Sequence, residues 1–399
     1  MTSPTRIRAS LPHFLLSVSV LATSLVPLTG RAKTIRDSLR SLEPNRVERE
    51  ASSAGYYEGL ISTEAGQGSR SELSLRLLGK PTEWVRFQAA AVSRQLKGDF
   101  LAFELRANVS ETLFGHDFTT NSHGLRDREY ALEKPTNTIR VALLGSSIDM
   151  GWGVGTDDTY ANLLEDWLNR HAARYGLVHR YEVLNFAVAA YAPTQRLESF
   201  LRKATRFDPD VLIYSATMLD PRLMEIHVGH LLQHRIDLKY PALRSAIAAS
   251  GLTDADLRVD SSGEFLDRNI VKQRIGRVFW QLQDAVIGEL AAECRSRGIT
   301  PALVVIPRAG KSDTPSSRAI PCALHRGVAS RHGLPTIDVA DAFDHLDASS
   351  VEISAWDDHP NTLGHERIFL GVARGLAADP HLAEALRLGG TARLNSHPD

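Results

Sequence analysis

The chain has 399 residues, 43% of them hydrophobic, a formal charge of −1 and two cysteines. The length allows two or three domains, and the composition excludes a mostly disordered or collagen-like chain. The balance of 46 basic against 47 acidic residues argues against a nucleic-acid partner, and two cysteines cannot build a disulfide framework or a Cys-rich zinc site.

Arg6 and Arg8 precede an apolar run from Phe14 to Leu28, broken only by small hydroxyl residues and Pro27. At about 15 residues the run is short for a membrane span and suits the apolar core of a signal peptide. Gly30 and Ala32 have the spacing of a cleavage site, with Arg31 between them. Residues 1–32 therefore read as a signal peptide or an N-terminal membrane anchor. Both readings export the rest of the chain to a periplasmic or other extracytoplasmic space, where Cys294 and Cys322 either pair or stay as two buried thiols. Residues 33–80 are charged and Ser/Gly-rich and read as a stalk. Residues 81–135 read as a small extension, with an amphipathic helix from Glu83 to Arg94 and then short β pieces between the turn residues Asn108, Gly115, Asn121 and Gly124.

After Pro135 strand and helix patterns alternate. Strands are expected at Val141–Leu144, Tyr181–Leu184, Val211–Ser215, Ala302–Ile306 and Thr336–Val339. Helices are expected at Thr159–Arg174, Thr194–Arg206, Arg318–Arg331 and Leu363–Leu376, with a long helix-rich insertion over 221–298. Strands alternating with helices make an α/β domain over 136–378, with a parallel sheet covered on both faces, leaving 379–399 as a tail. In such sheets chemistry sits at the C-terminal ends of strands.

The first of those ends reads Gly145-Ser146-Ser147. A Ser there projects its hydroxyl into the crevice, and its own N–H is placed to stabilise an oxyanion, although the same pair is often a plain turn. Before the last helix stands Asp357-Asp358-His359-Pro360-Asn361. Pro360 disfavours helix at His359, which leaves the imidazole at the crevice edge. Asp357 is close enough to orient it, with Asp358 as the alternative. Against this stands the reading of Asp358 or Asn361 as a helix cap.

Taken together the two segments resemble the SGNH/GDSL hydrolase family over roughly Asn121 to Leu376. Ser147 matches the nucleophile of its Gly-Asp-Ser motif, with Ser146 in place of the Asp. Gly151-Trp152-Gly153-Val154 and the final Asp-x-His-Pro-Asn block match as well. The resemblance implies a three-layer α/β/α, flavodoxin-like domain and a Ser147–His359–Asp357 triad hydrolysing a carboxylic ester of a small molecule or glycan, with no metal or organic cofactor. It places the Ser147 and Ala190 N–H groups in the oxyanion hole, Ala187 and Ala190 standing where the family has Gly. Leu219 stands where the family has an oxyanion Asn, so Thr217, or alternatively Arg222, is expected to supply that donor. Two further readings share these motifs: an O-acyltransferase acting on an envelope or extracellular glycan, and a degenerate binding domain without turnover.

Three clusters complete the reading. Arg222 and Arg308 are candidates for holding a substrate anion, Arg308 alternatively being a surface Arg paired with an Asp. Arg126 is placed to brace the Ser147 loop. His227, His230 and His234 share a helix face, but neither a third acidic ligand nor a His-Glu-x-x-His pattern accompanies them, so a solvated or capping face is expected rather than a metal site. Oligomeric state is open.

Overall fold

The computed structural model describes residues 91–113, 115–310 and 314–389. The expected signal or anchor segment and stalk lie outside the described residues.

The extension contributes two small antiparallel pairs, β1 (Ser93–Gln95) with β2 (Phe103–Leu105) and β3 (Ser110–Leu113) with β4 (His116–Thr119). The expected helix from Glu83 to Arg94 is corrected at its described end. Ser93 and Arg94 pair with Leu105 and Glu104 in β1–β2, because pairing against the buried strand Phe103–Leu105 outweighs local helix propensity.

The central sheet contains β5 (Thr138–Leu144), β6 (Arg180–Asn185), β7 (Val211–Thr217), β8 (Thr300–Ile306) and β9 (Thr336–Asp338). All are parallel, in the order β6-β5-β7-β8-β9. This is the flavodoxin-like doubly wound order, with its switch point beside β5. Every residue of β5 and β7 is buried, as a parallel strand covered on both faces requires.

Alternate side chains divide between two layers. Ala142, Leu144, Leu212, Tyr214, Leu303 and Val305 pack in one core with residues of the helices Pro193–Arg202, Asp220–Gln233, Phe279–Arg297 and Pro315–Arg331. Val141, Leu143, Val211, Ile213 and Val304 pack in the other with residues of Tyr160–Tyr175 and Thr362–Ala378. The result is the three-layer α/β/α architecture.

Three boundaries differ from the sequence reading. The tail after residue 378 is structured through Leu388: the helix Pro380–Ala385 follows, and Leu382, Leu386 and Leu388 are buried in the second core. Within 221–298, Phe279–Arg297 is the crossover helix lying on the sheet, so the extra helices are Pro241–Ala249 and Arg268–Arg277. The segment before the helix Thr362–Ala378 is not an open loop but a hairpin, β10 (Glu352–Ser354) with β11 (Asp357–Pro360). Cys294 and Cys322 are free and buried.

Candidate active site

Ser147 opens a one-turn helix, Ser147–Met150, directly beyond β5 at the switch point. The turn is built around Asp149, whose carboxylate accepts the Ser146 N–H at 2.7 Å and the Tyr160 hydroxyl at 2.6 Å. Gly145 makes room for it, since a Cβ there would lie 2.0 Å from Asp149 Oδ2. Burial pushes the Asp149 carboxyl above its usual range, opposed by the Tyr160 bond, the Arg196 charge and the Ser146 N–H. Ser146, standing where the resemblance expects Asp, thus has a carboxylate supplied to its backbone from three residues further on.

The hairpin β10–β11 delivers the base. His359 Nε2 lies 2.8 Å from Ser147 Oγ, and His359 Nδ1 lies 2.5 Å from Asp357 Oδ1. Both Ser147 (3% exposed) and His359 (7%) are shielded from bulk water, which strengthens the electrostatics between them. Burial by itself would raise the Asp357 carboxyl. The His359 charge and hydrogen bond, with the Trp152 N–H, overcome that and hold it below the usual carboxylate range. Asn361 caps the helix Thr362–Ala378 by accepting from Gly364 N at 3.1 Å, so the cap and the imidazole are separate features of one segment.

The two adjacent carboxylates have different partners. Asp358 is ion-paired with Arg308, while Asp357 faces His359. Arg308 is thus paired with an Asp of the same chain, the alternative the sequence offered to a role in holding a substrate anion. Arg222 is similarly paired with Glu225 on the Asp220–Gln233 helix, at 2.9 Å. Asp357, Asp358 and His359 present ligand atoms within 4.8 Å of one another, but each of them is already engaged in these pairs.

Among the described residues, the N–H groups of Ser147 and Ala190 have no backbone acceptor. Ser147 N–H belongs to the first residue of a helix and so has no intrahelical acceptor. Ala190 takes the left-handed conformation, φ +64°, and among the described residues its N–H donates to no backbone carbonyl. The third expected donor is corrected. Thr217 Oγ1 donates to Asp220 Oδ1 at 3.1 Å and Thr217 N to Asp220 Oδ2 at 3.2 Å. Asp220 is in turn bound by both terminal nitrogens of the buried Arg196, so Thr217 belongs to an ion-pair network within the fold.

Arg126 does brace the Ser147 loop. Its Nη1 donates to Met150 O at 2.9 Å and to Gly151 O, and its Nη2 to Val154 O at 2.5 Å. His227 is not on a solvated face. It is fully buried, with Nδ1 2.7 Å from Thr194 Oγ1 and Nε2 2.7 Å from Phe100 O, and it ties the N-terminal extension to the domain. The sequence reading assigned no role to Trp152, whose indole Nε1 donates to Asp357 Oδ2 at 3.0 Å, or to Asp149. The sequence signal for Trp152 is the Gly151-Trp152-Gly153-Val154 block, whose two glycines have positive φ.

A doubly wound parallel sheet with a Ser, His and Asp gathered at its switch point defines an α/β/α ester hydrolase. A model of the GDSL-like lipase/acylhydrolase family matches residues 143–367, more than half of the chain. The chain belongs to that family. Among solved structures it is similar to the acetylxylan esterase Axe2 from Geobacillus stearothermophilus, at 14% identity and a TM-score of 0.37, covering 59% of this chain and 93% of that one. It is also similar to TesA, at 14% identity and a TM-score of 0.36, covering 61% and 99%. A two-domain esterase active on acetylated mannans is similar at 11% identity and a TM-score of 0.38, covering 66% and 51%. No curated relative matches the chain.

Proposed function

We infer that the protein hydrolyses a carboxylic ester through an acyl-enzyme on Ser147. The observation that carries this is the 2.8 Å approach of His359 Nε2 to Ser147 Oγ, with Asp357 2.5 Å behind Nδ1. Ser147 Oγ attacks the ester carbonyl as His359 takes its proton. The oxyanion that forms is met by the N–H groups of Ser147 and Ala190. As the intermediate collapses, His359 returns the proton to the leaving alcohol. A water then gives its proton to His359 as it attacks the acyl carbonyl, and His359 passes that proton to Ser147 Oγ as the acid leaves. Asp357 keeps Nδ1 protonated and balances the imidazolium. With Thr217 committed to Asp220, the oxyanion hole consists of two backbone donors.

A fluorophosphonate probe tests the reading. It is expected to label the wild-type protein and to leave the Ser147→Ala variant unlabelled. A p-nitrophenyl ester panel of increasing acyl length then sizes the acyl pocket. If folded wild-type protein is neither labelled nor active on any ester of the panel, the nucleophile assignment falls.

A further inference from the structure

The geometry points to Trp152 as a positioning residue for this reaction: its indole N–H holds the Asp357 carboxylate in the orientation that aims His359 at Ser147. The inference rests on the Ser147 reading and adds a fourth side chain to it.

Asp357 has two carboxylate oxygens, and each has its own donor. Oδ1 accepts from His359 Nδ1 at 2.5 Å and from the His359 backbone N–H at 3.2 Å, and Oδ2 accepts from Trp152 Nε1 at 3.0 Å across 205 residues of chain. With both oxygens held, rotation of the carboxylate breaks one bond or the other. The Trp152 ring also lies beside the imidazole, with centroids 5.5 Å apart and planes 32° apart, and is itself 2% exposed. The indole therefore donates to the acid while shielding the base from water.

The surroundings of Trp152 fix it from both sides. Gly151 (φ +86°) and Gly153 (φ +72°) give the loop a path that side chains rarely follow. A Cβ on Gly153 would lie 2.2 Å from Ile353 Cδ1, so glycine there lets the β10–β11 hairpin close against the Trp152 loop. On the opposite side Arg126 binds the carbonyls of Met150, Gly151 and Val154, which flank Trp152. The Ser147 loop and the Asp–His hairpin thus meet through the Trp152–Asp357 bond as well as through the His359–Ser147 contact.

Two replacements separate the N–H from the ring. Trp152→Phe removes the donor and part of the bulk. Substitution by β-(3-benzothienyl)alanine removes the donor and keeps the shape. Both are expected to lower kcat on a p-nitrophenyl ester by about tenfold, the scale of one hydrogen bond to a buried charge, with KM nearly unchanged. The acid limb of the kcat/KM profile is expected to move to higher pH, since a carboxylate short of one donor stabilises the imidazolium more strongly. Rates are normalised to the fluorophosphonate-titrated active fraction, so that a loosened fold shows in the fraction and not in kcat. If the benzothienyl variant keeps wild-type kcat and acid limb, Trp152 is packing alone, whatever the Phe variant does. A Ser147→Ala variant with undiminished turnover would instead overturn the nucleophile reading, and the Trp152 role with it.

Discussion

Arg308 forms an ion pair with Asp358, and that pairing separates two carboxylates that neighbour each other in the chain. Asp358 is given to a cation and Asp357 to the imidazole. Asp357→Asn is therefore expected to lower kcat by about four orders of magnitude, as loss of the orienting acid does in such triads. Asp358→Asn is expected to change it by no more than a few fold. Steady-state kinetics on one p-nitrophenyl ester decides it, and a reversed ranking would assign the acid to Asp358.

The Thr217 hydroxyl points the same kind of test at the oxyanion hole. Because Thr217 Oγ1 donates to Asp220, which pairs with the fully buried Arg196, and accepts from the Leu219 N–H, Thr217→Val removes two hydrogen bonds at the edge of a buried network. The expected cost is about 1 kcal/mol of stability, read by urea denaturation. Turnover is expected to stay within about twofold, since no transition-state donor is lost. A drop of a hundredfold or more with unchanged stability would restore Thr217 to the oxyanion hole.

The readability of this protein from its sequence follows the range of the interactions involved. The five sheet strands were legible because β5, β7 and β8 are buried apolar runs that no other local structure explains. Ser147 and His359 were legible because each sits in a short segment of special residues, Gly145 before one and Pro360 after the other. The β10–β11 hairpin was not, since Glu352–Ser354 and Asp357–Pro360 are three and four residues long and carry no alternating pattern. The long-range partners, Arg308 of Asp358 and Trp152 of Asp357, could not be read locally. Arg308 is 50 residues from Asp358, and Trp152 is 205 from Asp357. Where two adjacent residues carry the same carboxylate, only the fold assigns them.

Ala190 stores a small strain in the turn that follows β6. At φ +64° its Cβ crowds the backbone, a conformation that costs a non-glycine residue about 1 kcal/mol or somewhat more. Ala190→Gly relieves that cost but gives back part of it through a freer unfolded chain, about 0.4–1 kcal/mol. The expected net change in stability is small, within about 1 kcal/mol on the stabilising side. Activity is expected to be retained, because the backbone N–H at 190 is kept. Loss of activity in Ala190→Gly, with stability unchanged, would mean that the Ala190 methyl group itself contacts the substrate.

His227 makes acid sensitivity a measurable property of the link between extension and domain. Burial pushes its imidazole down to about 3, against an ordinary value near 6.5, with the Phe100 carbonyl only partly opposing. The folded protein therefore keeps His227 neutral at pH values where the unfolded chain has already bound a proton there. The unfolded state binds more protons between about pH 6.5 and pH 3, so stability rises with pH in that window and falls as the pH drops through it. The contribution is fully present above about pH 6.5, and a single such group adds a slope of up to about 1.4 kcal/mol per pH unit. His365, pushed by burial to about 3, acts in the same direction. His227→Gln removes one of these titrations and keeps polar atoms facing Thr194 and Phe100. Unfolding free energies measured at pH 7, 6, 5 and 4.5 are expected to fall less steeply in the variant, by close to one proton's worth of slope below pH 6. Parallel curves for the two proteins would mean that His227 is protonated in the folded state.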